Sequence, residues 1–196
     1  MSDLKARFSE VFEQNHWADG ESLSGPGSRR DSDDVRLTIA ALHRAVADHG
    51  VRSVNDIPCG DFNWMPHFLE QAPQVRYHGF DIVDVLVERH RRIYPSLAFS
   101  VIDITCEVPP QADLVLCKDL LNHLVEADIR RALANMKASS ATFLLATNNF
   151  GFENRELRDP IGGASRHYDL LAPPYGFPMP LWHDQYLGLW PFAALP

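Results

Sequence analysis

The stretch Ser53–Met65, Ser-Val-Asn-Asp-Ile-Pro-Cys-Gly-Asp-Phe-Asn-Trp-Met, constrains the fold more than any other part of the chain. It opens as a short apolar strand, turns at Pro58-Cys59-Gly60 and runs into a helix. A strand that turns under a helix N-terminus aims backbone N–H groups above the sheet, where parallel α/β sheets bind their ligands. A second strand, Tyr77–Asp81, follows and ends in an acid. An acid at that point takes both hydroxyls of a ribose in charge-assisted hydrogen bonds. A dinucleotide needs Gly-x-Gly-x-x-Gly for close approach of its pyrophosphate. Here Pro58 and Phe62 stand where two of those glycines would be, and no Lys-Ser/Thr follows as in a phosphate loop. The stretch reads as the site of a nucleoside cofactor without phosphates.

The rest of the chain repeats the strand–helix alternation. Leu4, Phe8, Val11 and Phe12 mark a short helix within Met1–Gly20, and Glu21–Ser28 is a polar, turn-rich loop. Val35, Ile39, Leu42 and Val46 predict a helix over Asp31–His49, capped by Asp31 or Ser32 and ended by Gly50. Further helices are expected over Trp64–Gln71, Val83–Tyr94 and Glu126–Ala138. Further strands are expected over Leu97–Ile102, Asp113–Lys118 and Ala141–Thr147. Residues 150–165 read as a loop above the sheet, Tyr168–Leu171 as a sixth strand, and Tyr186–Leu195 as the last strand, with Pro191 uneasy in it. Alternation over residues 32–147 calls for a doubly wound sheet with right-handed crossovers.

The pattern Asp-Ile-Pro-Cys-Gly-Asp resembles the first motif of the class I S-adenosylmethionine (SAM) methyltransferases, in a branch with Pro-Cys-Gly-Asp and a nearby Trp. Trp17 ahead of Ser24-Gly25-Pro26-Gly27-Ser28 resembles the lead-in of that branch, which folds over the cofactor. Cys117-Lys118-Asp119-Leu-Leu-Asn-His123-Leu resembles its fourth motif, with Lys118 where Arg is commoner. The resemblance covers nearly the whole chain, most loosely the C-terminal third. It implies an α/β, doubly wound, seven-stranded Rossmann-like sheet with the last strand antiparallel. Residues 1–31 would be an N-terminal helix and lid loop, and 32–196 the SAM-binding domain, one domain overall. The implied cofactor contacts are Trp17, Ser24, Gly27, Ser28, Pro58, Cys59, Gly60, Asp81, Ile82, Asp103, Ile104 and Lys118, with Asp103 at the adenine.

Methyl transfer needs donor and nucleophile held in line, and a base for a hydroxyl or protonated amine. The candidates are Asp119 and His123, four residues apart, which one helical turn would stack on the same face. Such a carboxylate would orient the imidazole and raise its basicity. His167 is a weaker candidate at the acceptor pocket, and His16 at the lid. His43, His49 and His90 read as surface residues, and Arg89, Arg91 and Arg92 as a solvated face near a helix C-terminus. The aromatics Tyr175, Phe177, Trp182, Tyr186 and Trp190 are candidates to wall an acceptor pocket.

With 196 residues, 45% of them hydrophobic, the chain can bury one substantial core. A formal charge of −8 without a Lys/Arg run argues against a nucleic-acid surface. Cys59, Cys106 and Cys117 form no CxxC pair, which suits a reducing cytosol and gives no structural zinc. Absent any signal or membrane-length run, a cytoplasmic protein is expected. The expected activity is SAM-dependent methylation of O or N on a small molecule: a sugar, an amino-acid derivative or a secondary metabolite. No metal, nucleic acid or membrane partner is expected, and homodimerisation is left open. The rivals are a nicotinamide-dependent oxidoreductase with a degenerate fingerprint, and a noncatalytic SAM-fold partner of another methyltransferase.

Overall fold

The computed structural model describes residues 3–157 and 163–196. The chain runs α1 (Asp3–Glu13), α2 (Asp33–His49), β1 (Ser53–Asp56), α3 (Met65–Gln71), β2 (Arg76–Asp81), α4 (Asp84–Ile93), β3 (Ala98–Val101), β4 (Leu114–Cys117), α5 (Glu126–Ala138), β5 (Phe143–Thr147), β6 (Trp182–His183) and β7 (Leu187–Pro191). The seven strands form one sheet in the order β3-β2-β1-β4-β5-β7-β6. The first five pair in parallel; β7 is antiparallel to both β5 and β6.

Alternate residues of β4 divide the core. Val115 and Cys117 face a layer containing α5 and Phe8 of α1, whereas Leu114 and Leu116 face a layer containing α2 and α3. That period of two, apolar on both faces, is what burial of a central parallel strand requires. Helix α2 begins where Ser32 accepts a hydrogen bond from the Val35 amide, and Gly50 closes it at φ +66°.

The C-terminal third departs from expectation. Tyr168–Leu171 is not a strand, although Tyr168, Asp169 and Leu170 are buried. Side chains replace the ladder. Asn149 Oδ1 accepts from the Tyr168 amide and Asn148 Oδ1 from the Leu170 amide, while Asp169 accepts from Asn148 Nδ2 and the Gly151 amide. The sixth strand is the two-residue Trp182–His183 at the sheet edge. Pro191 sits at the end of β7, opposite Phe143. The loop expected over 150–165 is irregular where described; residues 158–162 lie outside the described residues.

Candidate functional site

The turn after β1 is saturated with hydrogen bonds. The Cys59 amide donates to Phe80 O at 2.8 Å, Gly60 to Asp81 Oδ2 at 3.1 Å, Asp61 to Ser24 Oγ at 2.9 Å, Phe62 to Cys59 O at 3.2 Å, and Asn63 to Asp61 Oδ1 at 3.2 Å. Five successive N–H groups are thus engaged, and none is left to cradle a pyrophosphate. Gly60 is required: at φ +53° its Cβ would lie 2.5 Å from Ser24 Oγ.

Asp81, at the end of β2, lines a cleft above the sheet with Pro58, Ile82, Asp103, Ile104 and Leu120. Burial pushes its carboxyl up to about 6, and hydrogen bonds from the Val83 and Gly60 amides only partly offset this. Each of its oxygens holds one backbone N–H and has a further lone pair for a hydroxyl. Ile82, Ile102 and Ile104 supply apolar wall for a flat base. These residues fit a phosphate-free nucleoside. Asp103 lines the same cleft and also accepts from the Thr105 amide and hydroxyl, so it is an Asx turn as well as a wall.

The N-terminal segment covers the cleft. Ser22 Oγ and the Leu23 amide donate to Asp61 Oδ2, and Asn63 Nδ2 donates to Glu21 Oε1 and Ser28 O. The loop is therefore fastened to the β1 turn and is no slack linker. Phe8, Phe12 and Trp17 also line the cleft, and Trp17 Nε1 donates to Gly163 O at 3.1 Å. Lys5 pairs with Asp84 and Arg7 donates to His123 O, which ties α1 to both sides. The cavity left is about 90 Å³, well below the roughly 300–1,000 Å³ of formed small-molecule sites. A nucleoside enters only if α1 and Trp17 give way.

Asp119 has φ +53°, a left-handed conformation that costs roughly 1–2 kcal/mol and that Asp tolerates better than most residues. Its amide donates to Thr147 Oγ1. Its Oδ2 accepts from Lys118 Nζ at 2.6 Å and Tyr186 Oη at 2.7 Å. Burial pushes the carboxyl up, but the Lys118 charge and these two hydrogen bonds outweigh it and hold the group below the usual carboxylate range. Lys118 is buried and also donates to Gly27 O, which ties the lid loop to Asp119.

Asp119 and His123 do not share a helical face, although the Asp119 charge still acts to raise the His123 pKa. The left-handed Asp119 turns the chain before a single 3₁₀ turn at Leu121–His123, so no α-helical face carries both. His123 Nδ1 lies 2.9 Å from Ala164 O, and because a carbonyl only accepts, that nitrogen carries the proton. Nε2 is then the acceptor and faces Asn122 Nδ2 at 3.3 Å. The ring packs against Trp17 at 4.7 Å, and burial lowers its pKa.

Trp17, Ser24, Pro58, Asp81, Ile82, Asp103, Ile104, Asp119 and His123 all line the cleft. Gly60 and Lys118 act behind it through the bonds above. Gly27 offers its carbonyl to Lys118, Ser28 offers its carbonyl to Asn63, and Cys59 is buried beneath, its thiol pushed well up by burial. His90 is no surface residue; it is buried and donates from Nε2 to Gly60 O at 2.7 Å, bracing the turn from below. Its place among Arg89, Arg91 and Arg92 on a basic helix hid this.

A second cavity, of about 300 Å³, adjoins the first, and among the described residues Asp119 alone lines both. The sequence reading placed Tyr186 and His167 at such a pocket but missed Asn122, Thr147, Asn149, Ser165 and Arg166. Phe177 and Trp190 are core residues packed on each other, and Trp182 lies under Arg44. Among the described residues no cluster of His, Cys, Asp or Glu could hold a metal, and no helix is long and apolar enough to cross a membrane.

Residues 56–141 match a family model described as a methyltransferase domain. The structure is similar to that of human N-acetylserotonin methyltransferase in complex with SAM, at 14% identity and a TM-score of 0.61, over 80% of this chain and 51% of that one. It is similar to TnmH at 15% identity and a TM-score of 0.60, over 78% and 52% of the two chains. The pyocyanin biosynthetic protein PhzM gives 17% identity and a TM-score of 0.51, over 69% and 46%. This chain thus spans about half the length of these structures. No curated protein matches its sequence. By its matched segment and by the order and sense of its strands, the chain has the fold of the class I SAM-dependent methyltransferases.

Proposed function

We propose that the protein is a SAM-dependent methyltransferase that methylates an oxygen or nitrogen of a small molecule. The observation that carries this reading is the pairing of a buried carboxylate at the end of β2, Asp81, with a β1 turn whose N–H groups are all engaged. These groups suit a nucleoside once α1 and Trp17 give way, and the turn offers no free N–H to a pyrophosphate. Trp17, Ser24, Pro58, Gly60, Ile82, Asp103, Ile104 and Lys118 would hold the cofactor directly or through the turn. Bound SAM supplies a methyl group activated as a sulfonium.

The chain's own residues orient the acceptor and exclude water. The acceptor lies in the second cavity, and its nucleophilic atom meets the cleft at Asp119. Oδ2 of Asp119 is held by Lys118 and Tyr186; Oδ1, with no hydrogen bond among the described residues, receives the proton-bearing side of the nucleophile. A carboxylate held this far below neutral is a weak base, so alignment contributes more than proton abstraction. His123 has both ring nitrogens engaged and acts as a base only when Asn122 moves off Nε2. Helix α1 and Trp17 close over the pair and strengthen electrostatic contacts inside.

Titration calorimetry with SAM, its demethylated product, NADH and ATP tests the cofactor. Micromolar-range binding of the first two and silence of the others is expected. Tight NADH binding with silent SAM would overturn the reading. Incubating the protein with methyl-labelled SAM and a metabolite extract, then detecting labelled product by mass, tests the transfer. SAM binding without any labelled product would favour a noncatalytic partner.

A further inference from the structure

We propose that the docking of Trp17 on Gly163 is an autoinhibitory contact that joins the two cavities. While docked, the lid occludes the cofactor cleft; a cofactor that lifts it also releases the segment walling the second cavity. This rests on the methyltransferase reading for the identity of the cofactor, but the docked contact and its reach can be measured without any ligand.

Two hydrogen bonds dock the lid on that side. Trp17 Nε1 donates to Gly163 O at 3.1 Å, and Arg7 Nη2 donates to His123 O at 2.7 Å. Gly163 permits the first. A Cβ there would overlap the indole nitrogen and lie 2.7 Å from His16 Cδ2. Gly163 and Ala164 run directly into Ser165, Arg166 and His167, which line the second cavity. Ala164 O accepts from Nδ1 of His123 at 2.9 Å, and the imidazole packs 4.7 Å from the Trp17 ring. His123 is thus held by Arg7 and Trp17 of the lid and by Ala164. Its neighbour Asn122 lines the second cavity and accepts at its carbonyl from the Arg166 amide at 3.0 Å. Trp17, Gly163, Ala164, His123, Asn122 and Arg166 therefore form one continuous run of contacts from lid to wall.

Space decides that the lid must rise. With Phe8, Phe12 and Trp17 in the cleft only about 90 Å³ is left, against the roughly 300–1,000 Å³ of formed sites. A nucleoside and the docked lid exclude each other, so a bound cofactor carries the lid in a raised position, resting on the ligand and off Gly163. The docked and raised arrangements are the two states that both cavities sense, which is what physical coupling requires. Docking lowers the apparent cofactor affinity by the fraction of molecules that are closed, and weakening the dock removes that penalty. By reciprocity, whatever settles the wall in its docked form opposes cofactor binding to the same extent.

The test is hydrogen exchange at single N–H groups, read by NMR on the whole chain, with S-adenosylhomocysteine as the probe. Without it, the Trp17 indole N–H and the Arg166 amide should both be protected. Gly163→Ala, which wedges Trp17 away, should speed exchange at both roughly tenfold and leave the β2 amides unchanged. Trp17→Phe keeps a ring and removes the N–H; it should speed Arg166 likewise, and it serves if the alanine variant does not fold. In the wild type the probe should protect the Gly60 and Val83 amides while deprotecting the Trp17 indole and Arg166. It should also associate roughly tenfold faster with Gly163→Ala. The proposal is overturned if Arg166 exchanges at the wild-type rate in a folded variant, or if association with Gly163→Ala is no faster. A probe that binds with the Trp17 indole still protected sinks this proposal alone. A probe that stays silent while Gly163→Ala still releases Arg166 sinks the cofactor reading and leaves the docked contact standing.

Discussion

Asp81 makes cofactor affinity depend on pH in a way that can be calculated. In the unliganded protein burial holds its carboxyl at about 6, against an ordinary value near 3.8. Keeping it ionised in the empty cleft therefore costs about 3 kcal/mol. Two ribose hydroxyls donating to it would favour the carboxylate and return its pKa to about 4. The native apo group then holds a proton between about pH 4 and 6 that the complex has lost, so binding must strengthen as pH rises through this window. With those values the dissociation constant at pH 5 is about tenfold larger than at pH 7, and about 0.8 proton is released per SAM bound at pH 5. Calorimetry in buffers of different ionisation enthalpy reads both quantities. Asp56, raised by burial to about 7 and bonded to Tyr77, titrates nearby but does not line the cleft. Asp81→Asn should therefore flatten the pH dependence and abolish most of the proton release while leaving the Asp56 titration in place. A wild-type affinity that is constant between pH 5 and 7, with no proton released, would refute the assignment of the ribose to Asp81.

Four further outcomes follow from other parts of the structure. Asp56 is destabilising when ionised: its folded pKa lies above its unfolded one, so its contribution to stability falls as pH rises between them. Asp56→Asn should therefore gain about 3 kcal/mol on the wild type between pH 5 and pH 8, read from urea melts at both values. Gly60→Ala introduces a Cβ 2.5 Å from Ser24 Oγ at a positive φ, so it should displace the lid loop and weaken SAM at least tenfold, with the sheet intact by circular dichroism. Removing the carboxylate that gathers the lid, in Asp61→Ala, should raise amide exchange in residues 21–25 before it affects β1, since Ser22 and Leu23 both donate to it. Leu116→Ala, at a fully buried position of the central strand, should cost about 2–5 kcal/mol in denaturant melts.

The sequence determined the parts of this protein that depend on local pattern. Short apolar runs alternating with helical segments located β1 to β5, period 3.6 with Ser32 and Gly50 delimited α2, and Glu126–Ala138 was found to the residue. The acid ending β2 and the non-glycine Pro58 and Phe62 were enough to point to a nucleoside without phosphates. Tertiary structure decided whatever depended on partners distant in sequence. Nothing local says that Asn148 and Asn149 take over the pairing of Tyr168–Leu171, so a half-apolar run there reads as a strand. Nothing local says that His90, on a helix rich in arginine, turns its ring inward to the Gly60 carbonyl. The i, i+4 spacing of Asp119 and His123 suggests an interacting pair only if the backbone is helical. The left-handed φ of Asp119, whose groups bond Thr147, Lys118 and Tyr186, takes the two off a common helical face, and His123 Nδ1 bonds Ala164 O. The polar cavity was invisible for the same reason: its walls come from the ends of β4 and β5, the start of β7 and the segment 165–168. Only the folding of the sheet brings those segments around Asp119.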